Sequence, residues 1–183
     1  MIVNISGPSG SGKTTLARAL QSGNPLRYRL LVTYTNRAIR VGESNGIHYH
    51  FVSADALSDD AEYILRRVRD GMVYAVRKAD LQAGSHILLT TFPSRGVVTL
   101  RQIGCRVMCF HLELGEEERI KRMRERGDGP EAIKRRLDID AYETSLSSTR
   151  ATLGAHQLFV LDARTPLSDL VNEIEGIVLA SPE

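Results

Sequence analysis

The chain has 183 residues and a mass of 20.3 kDa, with 42% apolar residues, 25% charged residues and a formal net charge of +2. That length suits a single domain able to bury roughly 70% of its unfolded surface without disulfide or metal staples. The composition excludes collagen, coiled coil and intrinsic disorder. No apolar run is long enough to span a membrane, and the near-neutral charge is not that of a general nucleic-acid binder. The first Lys or Arg is Lys13, so no basic segment precedes an apolar stretch and a secretory leader is not expected. Cys105 and Cys109 are the two cysteines. Four apart on one strand they would stand about 13 Å from each other, too far for a disulfide. They read as small buried apolar residues of a reducing, cytoplasmic setting.

Short β-like runs alternate with helical patterns, which predicts an α/β fold with a mostly parallel sheet flanked by helices. Strands are expected at Ile2–Ser6, Leu30–Tyr34, Ile47–Val52, His86–Thr91, Cys105–Leu112 and Gln157–Leu161. Helices are expected from about Lys13 to Gln21, Ala61 to Arg69, Arg77 to Gln82, Gly115 to Arg126, Glu131 to Ser147 and Leu167 to Leu179. In the Gly115 helix Glu116, Glu117 and Glu118 come first and basic residues last, the order a helix dipole favours. No internal repeat or low-complexity segment interrupts this pattern.

Between the first strand and first helix stands Gly7-Pro8-Ser9-Gly10-Ser11-Gly12-Lys13-Thr14, followed by Thr15. This is the phosphate-loop spacing in the strand–turn–helix context that it requires. Glycines let successive backbone N–H groups turn inward around a β-phosphate, and the helix adds its positive end. Lys13 can then reach the β- and γ-phosphates, and the Thr14 hydroxyl can ligate Mg²⁺. The segment predicts binding of a nucleoside triphosphate with Mg²⁺.

A second anion site is expected downstream, in Thr33-Tyr34-Thr35-Asn36-Arg37-Ala38-Ile39-Arg40 and the Tyr49 beyond it. Paired guanidinium forks with a hydroxyl and a phenol suit a phosphate. Together with the phosphate loop these segments resemble the guanylate kinases. That family reads Gly-Pro-Ser-Gly-x-Gly-Lys, then Thr-x-Arg-x-Pro-Arg, then Arg-x-Gly-Glu-x-x-Gly-x-x-Tyr-x-Phe, and here Asn36 and Ile39 stand where Thr and Pro are usual. The resemblance implies that Thr33, Arg37, Arg40, Tyr49 and Tyr74 bind the acceptor phosphate. It further implies that Glu118–Gly127 leads into a lid whose Arg122, Arg126 and Arg136 act with Lys13 on the transferring phosphoryl group. Residues 119 to 136 carry eight basic against three acidic side chains; a nucleic-acid patch and a solvated face are the competing readings. The fold implied is a single P-loop kinase domain over 1–183. Its core is about 1–32, 85–115 and 150–183, its acceptor-binding insert about 33–84 and its lid about 119–140.

The sequence departs from the family where guanine is held. Leu65 stands where a glutamate is usual, and Thr90-Thr91-Phe92 where two aspartates are usual. A leucine accepts no hydrogen bond from guanine's N1–H and amino donors, so base specificity is expected to be altered. Arg66, Arg67 and Arg69 would suit a more anionic acceptor if they face the pocket. On these grounds the function expected is ATP-dependent phosphoryl transfer to a small phosphorylated acceptor, a nucleoside monophosphate first. A sugar-phosphate kinase resembling ribose 1,5-bisphosphate phosphokinase is the alternative, and a non-catalytic guanylate-kinase-like binding module the third, which the complete phosphate loop argues against. His48 and His50 alternate with apolar residues without a third ligand at a recognisable spacing, and no metal site is assigned to them.

Overall fold

The computed structural model describes residues 1–40, 42–69, 71–82, 84, 86–154 and 158–181, with Arg69 described by its backbone alone. Strand β1 (Ile2–Ser6) is buried along its whole length. It lies at the centre of a five-stranded parallel sheet, between β7 (Ile87–Thr90) and β8 (Val107–Glu113), with β2 (Tyr28–Leu30) and β9 (Leu158–Asp162) at the edges. Side chains of β1 alternate between two cores, as the period of a strand requires. Val3 and Ile5 pack with Leu16 and Leu20 of α1 (Lys13–Gly23) and Ile174 of α6 (Leu167–Ala180). Ile2 packs on the other face with Val97 and Leu100 of α2 (Ser94–Gln102) and Leu153 of α5 (Leu146–Leu153). Both faces of the sheet are therefore covered, the usual condition of a parallel sheet.

A second sheet, of order β4-β3-β6-β5, is built from β3 (Tyr34–Thr35), β4 (His50–Phe51), β5 (Tyr63–Arg69) and β6 (Met72–Arg77). Its own small core is Tyr34, Leu57, Tyr63 and Ala75. Two further helices, α3 (Glu116–Glu125) and α4 (Pro130–Glu143), follow β8. Among the described residues no helix is long and apolar enough to cross a membrane. Cys109 is buried and Cys105 half-buried, both as free thiols, and burial pushes the Cys109 thiol up to about 11.

Several expectations need correction. Ala61–Arg69 is not a helix: β5 pairs with β6, and a bulge between Ile64 and Arg67 breaks its alternation. The extra residue sets Leu65 and Val68 at a helical spacing in the sequence. Of Leu30–Tyr34 only the ends are strand, Leu30 closing β2 and Tyr34 opening β3 in the other sheet. Of Ile47–Val52 only His50–Phe51 is strand, and of Arg77–Gln82 only a single 3₁₀ turn over Lys78–Leu81 is helical. The helix predicted to reach Ser147 ends at Glu143; Ser145 then caps α5, its hydroxyl accepting from the Ser148 amide. Helix α2, right after Pro93, had no predicted counterpart. The last predicted strand begins on Gln157, which lies outside the described residues.

Candidate active site: a phosphate loop facing a cationic sheet

The loop after β1 turns too tightly for side chains. A Cβ on Gly7 would stand 2.6 Å from the Leu112 carbonyl, and one on Gly10 would stand 2.8 Å from the Arg119 carbonyl, and both residues hold positive φ. Pro8 accepts the Ser11 amide at 3.2 Å, closing the turn. Helix α1 then opens on Lys13 with Thr14 and Thr15 exposed in its first turn, where backbone amides have no partner within the helix. The buried Ser11 hydroxyl finds no hydrogen-bond partner among the described residues. An anion held by the loop would meet these donors.

Lys13 Nζ donates to the Pro8 carbonyl at 2.8 Å. Desolvation lowers its pKa to about 8; Asp140 opposes the shift, while Arg119, Arg126 and Arg136 add to it. Asp140 on α4 is buried at 7% exposure and accepts four hydrogen bonds. The donors are the Ser9 amide at 2.7 Å, Ser9 Oγ at 3.2 Å, Arg119 Nη2 at 2.7 Å and Thr144 Oγ1 at 3.0 Å. Arg119 Nε donates in turn to the Ser9 carbonyl at 3.0 Å. Beneath the loop, the buried His111 ring contacts Ser6 Oγ at 3.1 Å through Nδ1, and burial pushes its pKa down to about 4.

The three basic residues expected in the lid differ in setting. Arg122 donates to the Ala163 carbonyl at 3.2 Å and approaches the Gly12 position of the loop. Arg126 pairs with Asp128, and Arg136 Nε stands 3.8 Å from the same carboxylate. Both guanidinium groups act on Lys13.

A cleft of about 120 Å³ is lined by Ser6 at the end of β1, by Gly7, Ser9 and Lys13 of the loop, and by Arg67, Thr91, Phe92 and Pro93. Asp140, Glu143 and Thr144 line it as well. Arg67 pairs in register with Tyr74, which in turn pairs with Thr35; residues directly opposite share a sheet face. On that face Tyr49 and Tyr74 meet edge to face at 5.7 Å between ring centroids, and the Arg37 guanidinium lies 5.3 Å from the Tyr49 ring. Arg37 makes a two-pronged bond to Glu43 at 2.7 and 2.9 Å. The Glu43 carboxylate and then Tyr74 raise the pKa of Arg37, while Arg37 holds Glu43 below its ordinary range.

Arg37, Tyr49 and Tyr74 are thus brought together. Arg40 is exposed at the rim instead, its amide donating to Glu43 at 2.9 Å. Thr33 is half-buried, and its carbonyl accepts the His50 amide at 2.9 Å. Asn36 ties this loop to β6, accepting the Val73 amide at 2.8 Å. Of the three arginines on β5, Arg67 lines the cleft and pairs with Glu143. Arg66 pairs with Asp60 at 2.9 Å instead, and the side chain of Arg69 lies outside the described residues. Leu65 adopts a left-handed φ of 53° at the bulge and packs with Phe92 against the α2 side of the core. Asn4 fixes the Phe92 backbone, donating to its carbonyl at 3.1 Å and accepting its amide at 2.8 Å. His48 accepts the Ser44 amide, and His50 stacks on Tyr34.

Sequence reasoning missed Asp140, Arg119, Glu43 and Glu143. A signal was available for the first two. Ile133, Leu137 and Asp140 follow a four-then-three spacing, and Arg119 and Met123 are four apart, so each charge sits on the apolar stripe of its helix.

The family model for guanylate kinase matches residues 1–87. The guanylate kinase of Thiobacillus denitrificans is 34% identical over 149 residues, covering 77% of this chain and 71% of that protein. That of Mycoplasmoides gallisepticum is 30% identical over 149 residues, covering 75% of each. In fold, the crystal structure of guanylate kinase from Anaplasma phagocytophilum superposes with a TM-score of 0.67 at 20% identity, covering 98% of this chain and 84% of that one. The chain belongs to the guanylate kinase family of ATP-dependent phosphotransferases.

Proposed function

We propose that this protein transfers the γ-phosphoryl group of ATP to the phosphate of a nucleoside monophosphate, with relaxed selectivity for guanine. The observation that carries this reading is the cleft itself, which the Lys13 loop lines together with Arg67, the register partner of Tyr74. Gly7 to Thr15 hold the triphosphate, with Lys13 on the β- and γ-phosphates. Arg37, Tyr49 and Tyr74, with Thr33 and Arg40 at the margin, hold the acceptor phosphate. An acceptor phosphate is already anionic at neutral pH, so the protein need not supply a base. Its part is to align the two anions and neutralise charge with Lys13, Arg122, Arg126 and Arg136.

Among the described residues no group of three or more His, Cys, Asp or Glu could hold a metal. The exposed Thr14 hydroxyl at the start of α1 suits an ion held mainly by nucleotide oxygens. Bound there, Mg²⁺ would supply charge neutralisation on the phosphates. An ATP-using enzyme with reduced thiols belongs in the cytoplasm.

Relaxed selectivity follows from Leu65 and Phe92, which pack against the core and offer no side-chain acceptor to guanine. Arg67 in the cleft favours a second reading, an acceptor bearing a further anionic group such as a sugar phosphate. The test is ADP release from Mg-ATP with GMP, AMP, CMP, UMP, dTMP and ribose phosphates. Turnover with several nucleoside monophosphates is expected. Turnover with GMP alone would overturn the relaxed selectivity, and turnover with ribose phosphates alone would overturn the nucleotide acceptor.

A further inference from the structure

We infer that Asp140 is a positioning residue for the phosphate loop: its buried carboxylate, paired with Arg119, holds the Ser9 peptide and with it the loop's triphosphate-binding shape. The inference rests on the triphosphate reading of the loop and is independent of the acceptor.

Three observations carry it. The Ser9 peptide is gripped from both sides, its amide by Asp140 at 2.7 Å and its carbonyl by Arg119 at 3.0 Å. Asp140 has no capacity to spare, since Ser9 Oγ, Thr144 and Arg119 take its remaining lone pairs. The pair is also dry, with side chains 11% and 9% exposed, where a charged hydrogen bond is strong and geometrically demanding. A buried pair of this kind contributes little net stability against apolar residues of the same size. Its use here is to fix one peptide of a glycine-rich turn that would otherwise have many conformations. Arg119 belongs to α3 and Asp140 to α4, so both helices that carry the lid arginines are anchored on this peptide.

Asp140 also bears on Lys13. Lys13 faces Asp140 from α4, Arg119 from α3, Arg126 and Arg136 from the lid region and His111 from β8, while Arg67 and Glu143 line the same cleft. Among the causes that shift Lys13, Asp140 alone favours its charged form. Its loss leaves an ammonium that gives up its proton more readily.

The experiment uses the full chain and Mg-ATP binding measured by calorimetry across pH, with melting temperature alongside. Asp140→Asn keeps the shape and removes the charge. The double variant Asp140→Leu with Arg119→Met removes both charges and leaves none buried alone. Each is expected to fold and to bind ATP about tenfold more weakly, the scale of one lost charged hydrogen bond. In Asp140→Asn the fall of affinity at alkaline pH should begin at a lower pH than in the parent; in the double variant the loss of Arg119, which opposes Asp140 at Lys13, offsets much of that shift. Parental affinity with a parental alkaline limb in either folded variant overturns the inference alone. Loss of the native fold in both also overturns it, since the pair would then serve the fold and not the loop. A parent chain that binds no Mg-ATP would overturn the triphosphate reading and this inference with it.

Discussion

On the proposed function, the phosphate loop and the acceptor face would grip a phosphate in opposite ways. The phosphate loop is one contiguous stretch whose donors are mainly backbone amides, fixed by the core sheet below and by the buried Asp140–Arg119 pair beside it. The acceptor face is assembled from residues scattered over 33 to 77 on four short strands, and its donors are long side chains. Its cations are already matched by carboxylates: Arg37 by Glu43, with side chains 10% and 18% exposed, and Arg67 by Glu143, with side chains 35% and 41% exposed. A phosphate entering the loop meets preset dipoles, whereas one entering the acceptor face must displace or share a carboxylate. The first arrangement suits a constant ligand, the triphosphate, and the second can be retuned by single substitutions.

The sharpest attempt to break this contrast is Lys13→Ala. It removes the loop's single side-chain cation and should lower kcat/KM by about 10²–10³-fold or more, as the loss of one transition-state donor does. Substantial activity in that variant would mean that the loop is not where the transferring group is held. Next is Arg37→Ala on the acceptor face. It should raise the acceptor KM by about 10- to 100-fold, the worth of a charged hydrogen bond, and leave the KM for ATP unchanged. Equal changes in both constants would show that the two sites are not separable.

A smaller effect comes from pH. Lys13 has its pKa lowered from 10.5 to about 8 in the fold, chiefly by desolvation. With Lys13 on the triphosphate as proposed, its proton would be needed there, so ATP affinity should fall above pH 8, by up to about tenfold per unit. Between pH 8 and 10.5 the unfolded chain holds the proton that the folded chain has lost, so the Lys13 contribution to stability rises with pH across that window. ATP titrations and denaturant melts over the same range would therefore slope in opposite directions. The smallest effect is expected for Arg67→Ala, which breaks a partly exposed pair and should change stability by under about 1 kcal/mol. A loss of several kcal/mol would mean that Arg67–Glu143 braces the two sites together.

The same contrast divides what could be read in advance. The phosphate loop, β1, α1 and α6 are local patterns, and their positions in the chain match the structure closely. The second sheet was harder: β5 resembles a helix because its bulge disturbs the period of two, and β6 follows only when its partner is recognised. Tyr49, Tyr74 and Arg37 could be named from spacing and resemblance, but that they share a face depends on the pairing of β3, β4 and β6.

By itself the sequence determined the triphosphate loop and the alternating strand–helix order, because an eight-residue spacing and a hydrophobic period are properties of neighbours along the chain. Tertiary structure decided that Arg67 and not Arg66 lines the cleft, that Leu65 turns to the core, and that Asp140 reaches back 131 residues to Ser9. Those outcomes depend on a bulge that redirects side chains and on a helix packed against a distant turn. A charge pays its desolvation only where a partner waits, and that partner is supplied by the fold rather than by adjacency in sequence.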